Sequence, residues 1–321
     1  MFSKYKIILI VGFGASSLNI RALLSASAIH KKQFYFLDTL DPYSVASTLE
    51  KIDANTAIIF ISKSGNTHET NLLLEYMKHY KNLFIMSSGI TSNMYKIAQD
   101  IEHKWLQYPD AISGRFALLE KPFLDIVGDA DGIVKAAQDI DKQKALDIAN
   151  KWLQNFENGK RNWVIINYSA QLQGLLLWMR QIISESLGKN GFGIMPIIAE
   201  GTMDEHSQLQ LFLDGPDDKF YDVISSRYNS VIARSLVVAL AKTDDVAISL
   251  AQTEHAFMVE SMLKSKGRDV VHTCYDDIDD AVVGNYIGTY SEVVRIIADR
   301  LGFDPYNQPA VEDIKQKSKE I

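Results

Sequence analysis

Residues 62–70 read SKSGNTHET and follow the apolar run 58–61, so a strand pattern feeds directly into hydroxyls, a lysine and a glycine. A phosphate monoester presents three acceptor oxygens. The hydroxyls of Ser62, Ser64 and Thr67, with the exposed amides of a helix start, match that demand, and Lys63 adds positive charge. The plain alternative is a helix capped by Thr67 with no ligand involved. A second loop, GFGASS at residues 12–17, also follows an apolar run and opens a helical pattern, which makes Ser16 a further candidate donor. With Asp38 closing the next apolar run, this loop imitates a dinucleotide fingerprint, with a pyrophosphate on the helix start and a ribose on Asp38. The hydroxyl-rich composition of 62–70 favours a phosphate monoester instead.

Other residues are of types that could move protons. Glu185 follows Gln181 by four positions in the helical pattern 171–187, so one helix face presents a carboxylate and an amide together. His206 stands in the polar run Asp204-Glu205-His206-Ser207, and His255 in AQTEHAF is its weaker rival. His30, His68, His79, His103 and His272 are scattered without ligand spacing, so no metal site is expected. Arg115 lies in SGRF, and Gln308 and Lys315 are seven positions apart, two turns if both fall on one helix.

The elements that must position these residues follow from periodicity. Short apolar runs at 7–11, 34–37, 56–61 and 83–86 alternate with helical patterns at 17–28 and 67–80, where Leu72, Tyr76 and Tyr80 share a face. Such alternation predicts a doubly wound parallel sheet. The pattern breaks around 108–127, which contains Pro109, Gly114 and Pro122, and a polar helical segment follows at 136–156. A second α/β series has strands at 163–166, 221–224 and 270–273 and helices at 171–187, 231–241, 251–264 and 280–301, with a last helix at 310–320. The expected division is a first domain over 1–125, bearing the phosphate loop, and a second over 126–321, with a connecting helix and a C-terminal helix.

A chain of 321 residues, 47% hydrophobic, suffices for two cores. Its net charge of −7 argues against nucleic acid as the main partner, and no apolar run approaches the roughly 20 residues of a membrane span. The single cysteine, Cys274, excludes a disulfide framework and fits a cytoplasmic location.

SKSGNTHET resembles the phosphate loop of sugar isomerase (SIS) domains, in the form found in phosphoglucose isomerases. SGRF at 113–116, ESLGKNG at 185–191, DEHSQLQLFLDGP at 204–216 and PYNQPAVEDIK at 305–315 are similar to further motifs of that family, in the same order, as in its short bacterial forms. Ala15, Ser113, Ala117 and Ala310 depart from residues common there, and 241–243 holds no histidine where the long forms place one. The resemblance implies an α/β fold of two doubly wound parallel-sheet SIS-type domains with a C-terminal helix. It implies interconversion of glucose 6-phosphate and fructose 6-phosphate through ring opening and a cis-enediolate, with no cofactor, in a homodimer whose sites are shared. On that basis Glu185 is the base moving a proton between C2 and C1, Arg115 stabilises the enediolate, and His206 and Lys315 serve ring opening. Gln181 and Gln308 contact substrate, with Gln308 on the phosphate. A noncatalytic sugar-phosphate sensor would need the loop but not Glu185, Arg115 and Lys315. An isomerase that also accepts mannose 6-phosphate would differ only in pocket shape, whereas a nicotinamide-dependent dehydrogenase would bind cofactor.

Overall fold

The computed structural model describes residues 1–26, 32–109, 113–227 and 246–311. These divide into two compact units, the described parts of 1–24, 29–131 and 306–321, and those of 25–28 and 132–305. The expected boundary at 125/126 falls inside a helix, Lys121–Val127. The segment that returns to the first unit begins at Tyr306.

In the first unit, β1 (Ile7–Val11), β2 (Gln33–Leu37), β3 (Ala57–Ile61), β4 (Leu83–Ser87) and β5 (His103–Gln107) form a parallel sheet of order β2-β1-β3-β4-β5. The strands IILIV and AIIFI are apolar on both faces because helices cover both; Leu9 and Ile8, which point oppositely, are equally buried. The helices are α1 (Ala15–Leu23), α2 (Pro42–Leu49), α3 (His68–Met77), α4 (Asn93–Ala98) and α5 (Lys121–Val127). The face of α3 that packs is Leu73, Leu74 and Met77 with Thr70 and Asn71. Leu72 and Tyr76 share the opposite face and are 50% and 63% exposed.

In the second unit, the helices α6 (Asp131–Gln138) and α7 (Lys142–Glu157) precede β6 (Asn162–Asn167) and α8 (Gln173–Leu187). There follow β7 (Met195–Glu200), α9 (Gly201–Glu205), α10 (Leu209–Asp214), β8 (Lys219–Ser226), α11 (Val246–Ser265), β9 (Val270–Tyr275) and α12 (Asp280–Leu301). The sheet is parallel with order β7-β6-β8-β9. One face buries Val164, Val223, Val259 and Leu263, and the other buries Trp163 against Trp152 and Tyr290.

The helices expected at 231–241 and, apart from a short 3-10 turn at Pro309–Val311, at 310–320 lie outside the described residues. Among the described residues, no helix is long and apolar enough to cross a membrane.

Candidate active site

The chain leaves β1 for β2 on one side and later returns to β3 on the other, so the carboxyl ends of β1 and β3 flank the point where the winding reverses. Open α/β sheets bind ligands there. Both hydroxyl-bearing loops start at this point. A Cβ on Gly12 would stand 2.7 Å from Ser16 Cβ and 2.8 Å from the Ile61 carbonyl oxygen, so the close approach of the loops requires glycine.

Ser62 is 2% exposed, and its Oγ accepts from the Gly65 amide at 3.1 Å and lies 2.8 Å from Thr67 Oγ1. Thr67 occupies the N-cap position of α3, yet its side chain makes no capping bond; its hydroxyl is turned to Ser62 instead. The plain capping role therefore fails, and the first turn of α3 keeps a positive end without a side-chain cap. Gly65 has φ 64°, and a Cβ there would lie 2.3 Å from Ser92 Oγ. Ser64 is exposed, its Oγ accepting from the Asn66 amide at 3.2 Å. The Lys63 carbonyl is fixed by Ser88 through its amide at 3.1 Å and its hydroxyl at 2.6 Å. At the other loop, α1 starts after Gly14 without a side-chain cap, and Ser16 is buried in its first turn.

Asp38, the acid a dinucleotide would use, is engaged by Arg21 at 3.0 Å, and that guanidinium stacks 3.8 Å above Phe36. This pairing removes the structural support for the dinucleotide alternative. Arg115 is 3% exposed in a 3-10 turn, Gly114–Phe116, which α1 anchors through Asn19 Nδ2 donating to the Gly114 carbonyl at 2.9 Å. Its guanidinium donates to the Asn307 carbonyl at 3.1 Å, and Phe116 packs edge-on to Tyr306 at 5.4 Å. Gln308, half-buried, is thus the residue after Arg115's partner. Lys315 lies outside the described residues.

In the second unit, Gln181 Nε2 donates to Glu185 Oε1 at 3.0 Å, the pairing that four-residue spacing predicts. The Gln181 side-chain oxygen Oε1 is buried and has no hydrogen-bond partner among the described residues. Glu185 occupies the last turn of α8, half-buried. His206 is the exposed C-cap of α9, and among the described residues its ring makes no hydrogen bond. Beside it, Asp204 accepts from Ser207 Oγ at 2.6 Å and the Glu200 amide at 2.7 Å. Burial would raise the Asp204 carboxyl, but these bonds and one from Gln208 outweigh it and hold it below its ordinary value.

Topology separates these two candidates within one chain. β6 and β7 are parallel, so α8 must run back between them and end near the amino edge of the sheet, whereas α9 begins at the carboxyl edge. The six residues of β7, about 20 Å of strand, intervene between Glu185 and His206. The structure does not bring them together in one protomer.

Two constellations are invisible in the sequence. Glu205 accepts from the Tyr168 hydroxyl at 2.5 Å with one oxygen and meets His255 Nδ1 at 2.9 Å with the other, so His255, the rival histidine, is tied to the residue beside His206. Burial and the adjacent carboxylate push the Tyr168 hydroxyl up, keeping it a donor. His272 bridges Ser225 Oγ at 2.9 Å and Glu260 at 2.8 Å, but Ser225 is fully buried, which bars acyl-transfer chemistry. Strand pairing of β8 with β9 brings Ser225 to His272, and the packing of α11 on that sheet adds Glu260.

The two parallel sheets and the hydroxyl loops at the reversal point define a SIS-type α/β protein. No family model matches the chain. A protein of Methanocaldococcus jannaschii named glucose-6-phosphate isomerase is 29% identical over 340 residues, covering 97% of this chain and 83% of that protein. Among solved structures, a glucose-6-phosphate isomerase of Chlamydia trachomatis is similar with a TM-score of 0.74, 19% identity, and coverage of 99% of this chain and 70% of that one. A hypothetical protein of Thermus thermophilus is similar with a TM-score of 0.77, 21% identity, and coverage of 99% and 84%. The chain is a homologue of the glucose-6-phosphate isomerases.

Proposed function

We propose that the protein interconverts glucose 6-phosphate and fructose 6-phosphate in the cytoplasm. The observation that carries this reading is the likeness over 97% of the chain to a protein of that name. The first unit supplies phosphate donors, Ser62, Ser64 and Thr67 with the amides at the start of α3, assisted by Ser16, Lys63 and Gln308. Their place at the reversal point, and the Thr67 hydroxyl withheld from capping, support the assignment.

Glu185 takes the proton from C2 of the open-chain aldose and returns it to C1. The hydroxyl at C1 or C2 exchanges its proton as the carbonyl moves, and Arg115 stabilises the negative oxygen of the enediolate. The Gln181 amide donating to Glu185 supports this role, because it fixes one carboxylate oxygen and orients the other. His206 and Lys315 open the sugar ring. The separation of Glu185 from His206 along the second sheet supports a homodimer in which His206 serves the partner's site.

A coupled assay of fructose 6-phosphate conversion on wild type and Glu185→Gln tests the reading. The wild type is expected to turn over, and the variant to lose activity by about 10²–10⁴-fold while remaining folded. A wild type that binds sugar phosphate without converting it transfers the protein to the sensor class.

A further inference from the structure

The second unit contains a cavity of about 700 Å³ on the sheet face away from α11, bounded by α7, β8, β9 and α12. Its size is that of a small-molecule site. None of the residues assigned to phosphate or proton transfer lines it. Trp152, Tyr275, Tyr286 and Tyr290 form much of its wall, and Asp222 opens onto it from the middle of β8. Tyr286 and Tyr290 are stacked at 5.7 Å with an interplanar angle of 5°, Tyr275 meets Tyr286 edge-on at 6.1 Å, and Trp152 stands 6.0 Å from Tyr290.

Asp222 is partly accessible through this opening, and the Tyr290 hydroxyl and the Trp163 indole lie near its carboxyl, the indole N–H making no hydrogen bond among the described residues. Burial pushes that carboxyl up to about 6, and the neighbouring charge that acts on it, Asp269, is also negative. Of the two lysines that line the cavity, Lys144 and Lys151, the second pairs with Asp269 at 3.0 Å. The cavity therefore places a carboxylate, without a cationic partner among the described residues, beside a wall of electron-rich rings, a combination suited to an organic cation. Burial also holds Tyr286 and Tyr290 protonated, so the wall adds no charge of its own.

We propose that this cavity binds a small organic ammonium, with Asp222 as counter-ion and the rings of Trp152, Tyr275, Tyr286 and Tyr290 as its walls. The site is separate from the sugar-phosphate chemistry and does not depend on it. A phosphate ester is the wrong charge for it: Asp141, Asp147, Asp222 and Asp269 outnumber Lys144 and Lys151 around the cavity.

Isothermal titration of the full chain with phenethylamine, 2-phenylethanol and phenylacetate at slightly alkaline pH tests the assignment. Saturable binding of the amine is expected, at least about tenfold tighter than that of the neutral and anionic isosteres, and unchanged by saturating glucose 6-phosphate. Asp222→Asn should weaken the amine about tenfold. Thr273→Phe, which narrows the cavity and leaves the carboxylate in place, should weaken it as well, and circular dichroism checks the fold of both variants. Equal binding of phenylethanol, undiminished binding by either folded variant, displacement by glucose 6-phosphate, or no binding of the amine to wild type each overturns the proposal.

Discussion

Asp222 holds its proton more tightly in the folded chain than its ordinary value of 3.8 would require, because burial penalises the charged form. An acid with a raised value imposes no cost at low pH, where folded and unfolded chains both carry the proton, and works against folding as pH rises from about 4 through about 6. Above that range the folded chain carries the whole penalty of roughly 2–3 kcal/mol. Asp222→Asn removes it. Urea unfolding should therefore show the variant more stable than wild type at pH 8 by about 2 kcal/mol, with the difference shrinking toward pH 4. A gap of the same size at both pH values would assign the effect to packing. The same scale shows why some site residues are legible in the sequence and others are not. Hydroxyls and glycine at 62–67 mark the proposed phosphate loop by type and spacing, whereas Glu205, Tyr168 and His255 are brought together by folding across 87 positions of sequence.

At the scale of elements, α12 is legible in the sequence at its full length, Asp280–Leu301, because both ends are signalled. Asp279 accepts from the Val282 amide at 2.9 Å, and Gly302 closes the helix at φ 68°. By contrast β5 and β7 give no strand signal. HKWLQ is a half-buried edge strand with polar residues, and MPIIAE carries Pro196, which an edge position tolerates. Pro122 likewise marks a break in the sequence but stands in the first turn of α5, where its missing N–H costs nothing. The face shared by Leu72 and Tyr76 has helical spacing without burial, a distinction periodicity alone does not make. Close packing of helices sets another limit. A Cβ on Gly288 of α12 would lie 2.3 Å from the Ala137 carbonyl oxygen and 2.5 Å from Ile140 Cγ2. Gly288→Ala gains about 1 kcal/mol in helix propensity yet should destabilise the chain by roughly 1–3 kcal/mol, as read from its urea midpoint. A midpoint raised by the substitution would mean that α6 yields at no cost.

For the molecule as a whole, the distance along the second sheet from Glu185 to His206 sets a test of assembly. If each site takes its histidine from the partner, mixing inactive Glu185→Gln chains with inactive His206→Asn chains should restore about a quarter of wild-type activity: random pairing makes half the dimers mixed, and each mixed dimer has one intact site. Absence of recovery, with mixed dimers demonstrated by mass, would require both residues to act from one protomer, and a His206→Asn chain active by itself would show that histidine to be dispensable. Arg115 carries a different consequence, one of timing. Its guanidinium is held by a carbonyl 192 positions later, so a growing chain can fold the first sheet and the phosphate loop long before residue 307 emerges to fix the arginine. Under the proposed roles, binding of sugar phosphate by the first sheet would precede, during synthesis, the fixing of the arginine that conversion needs.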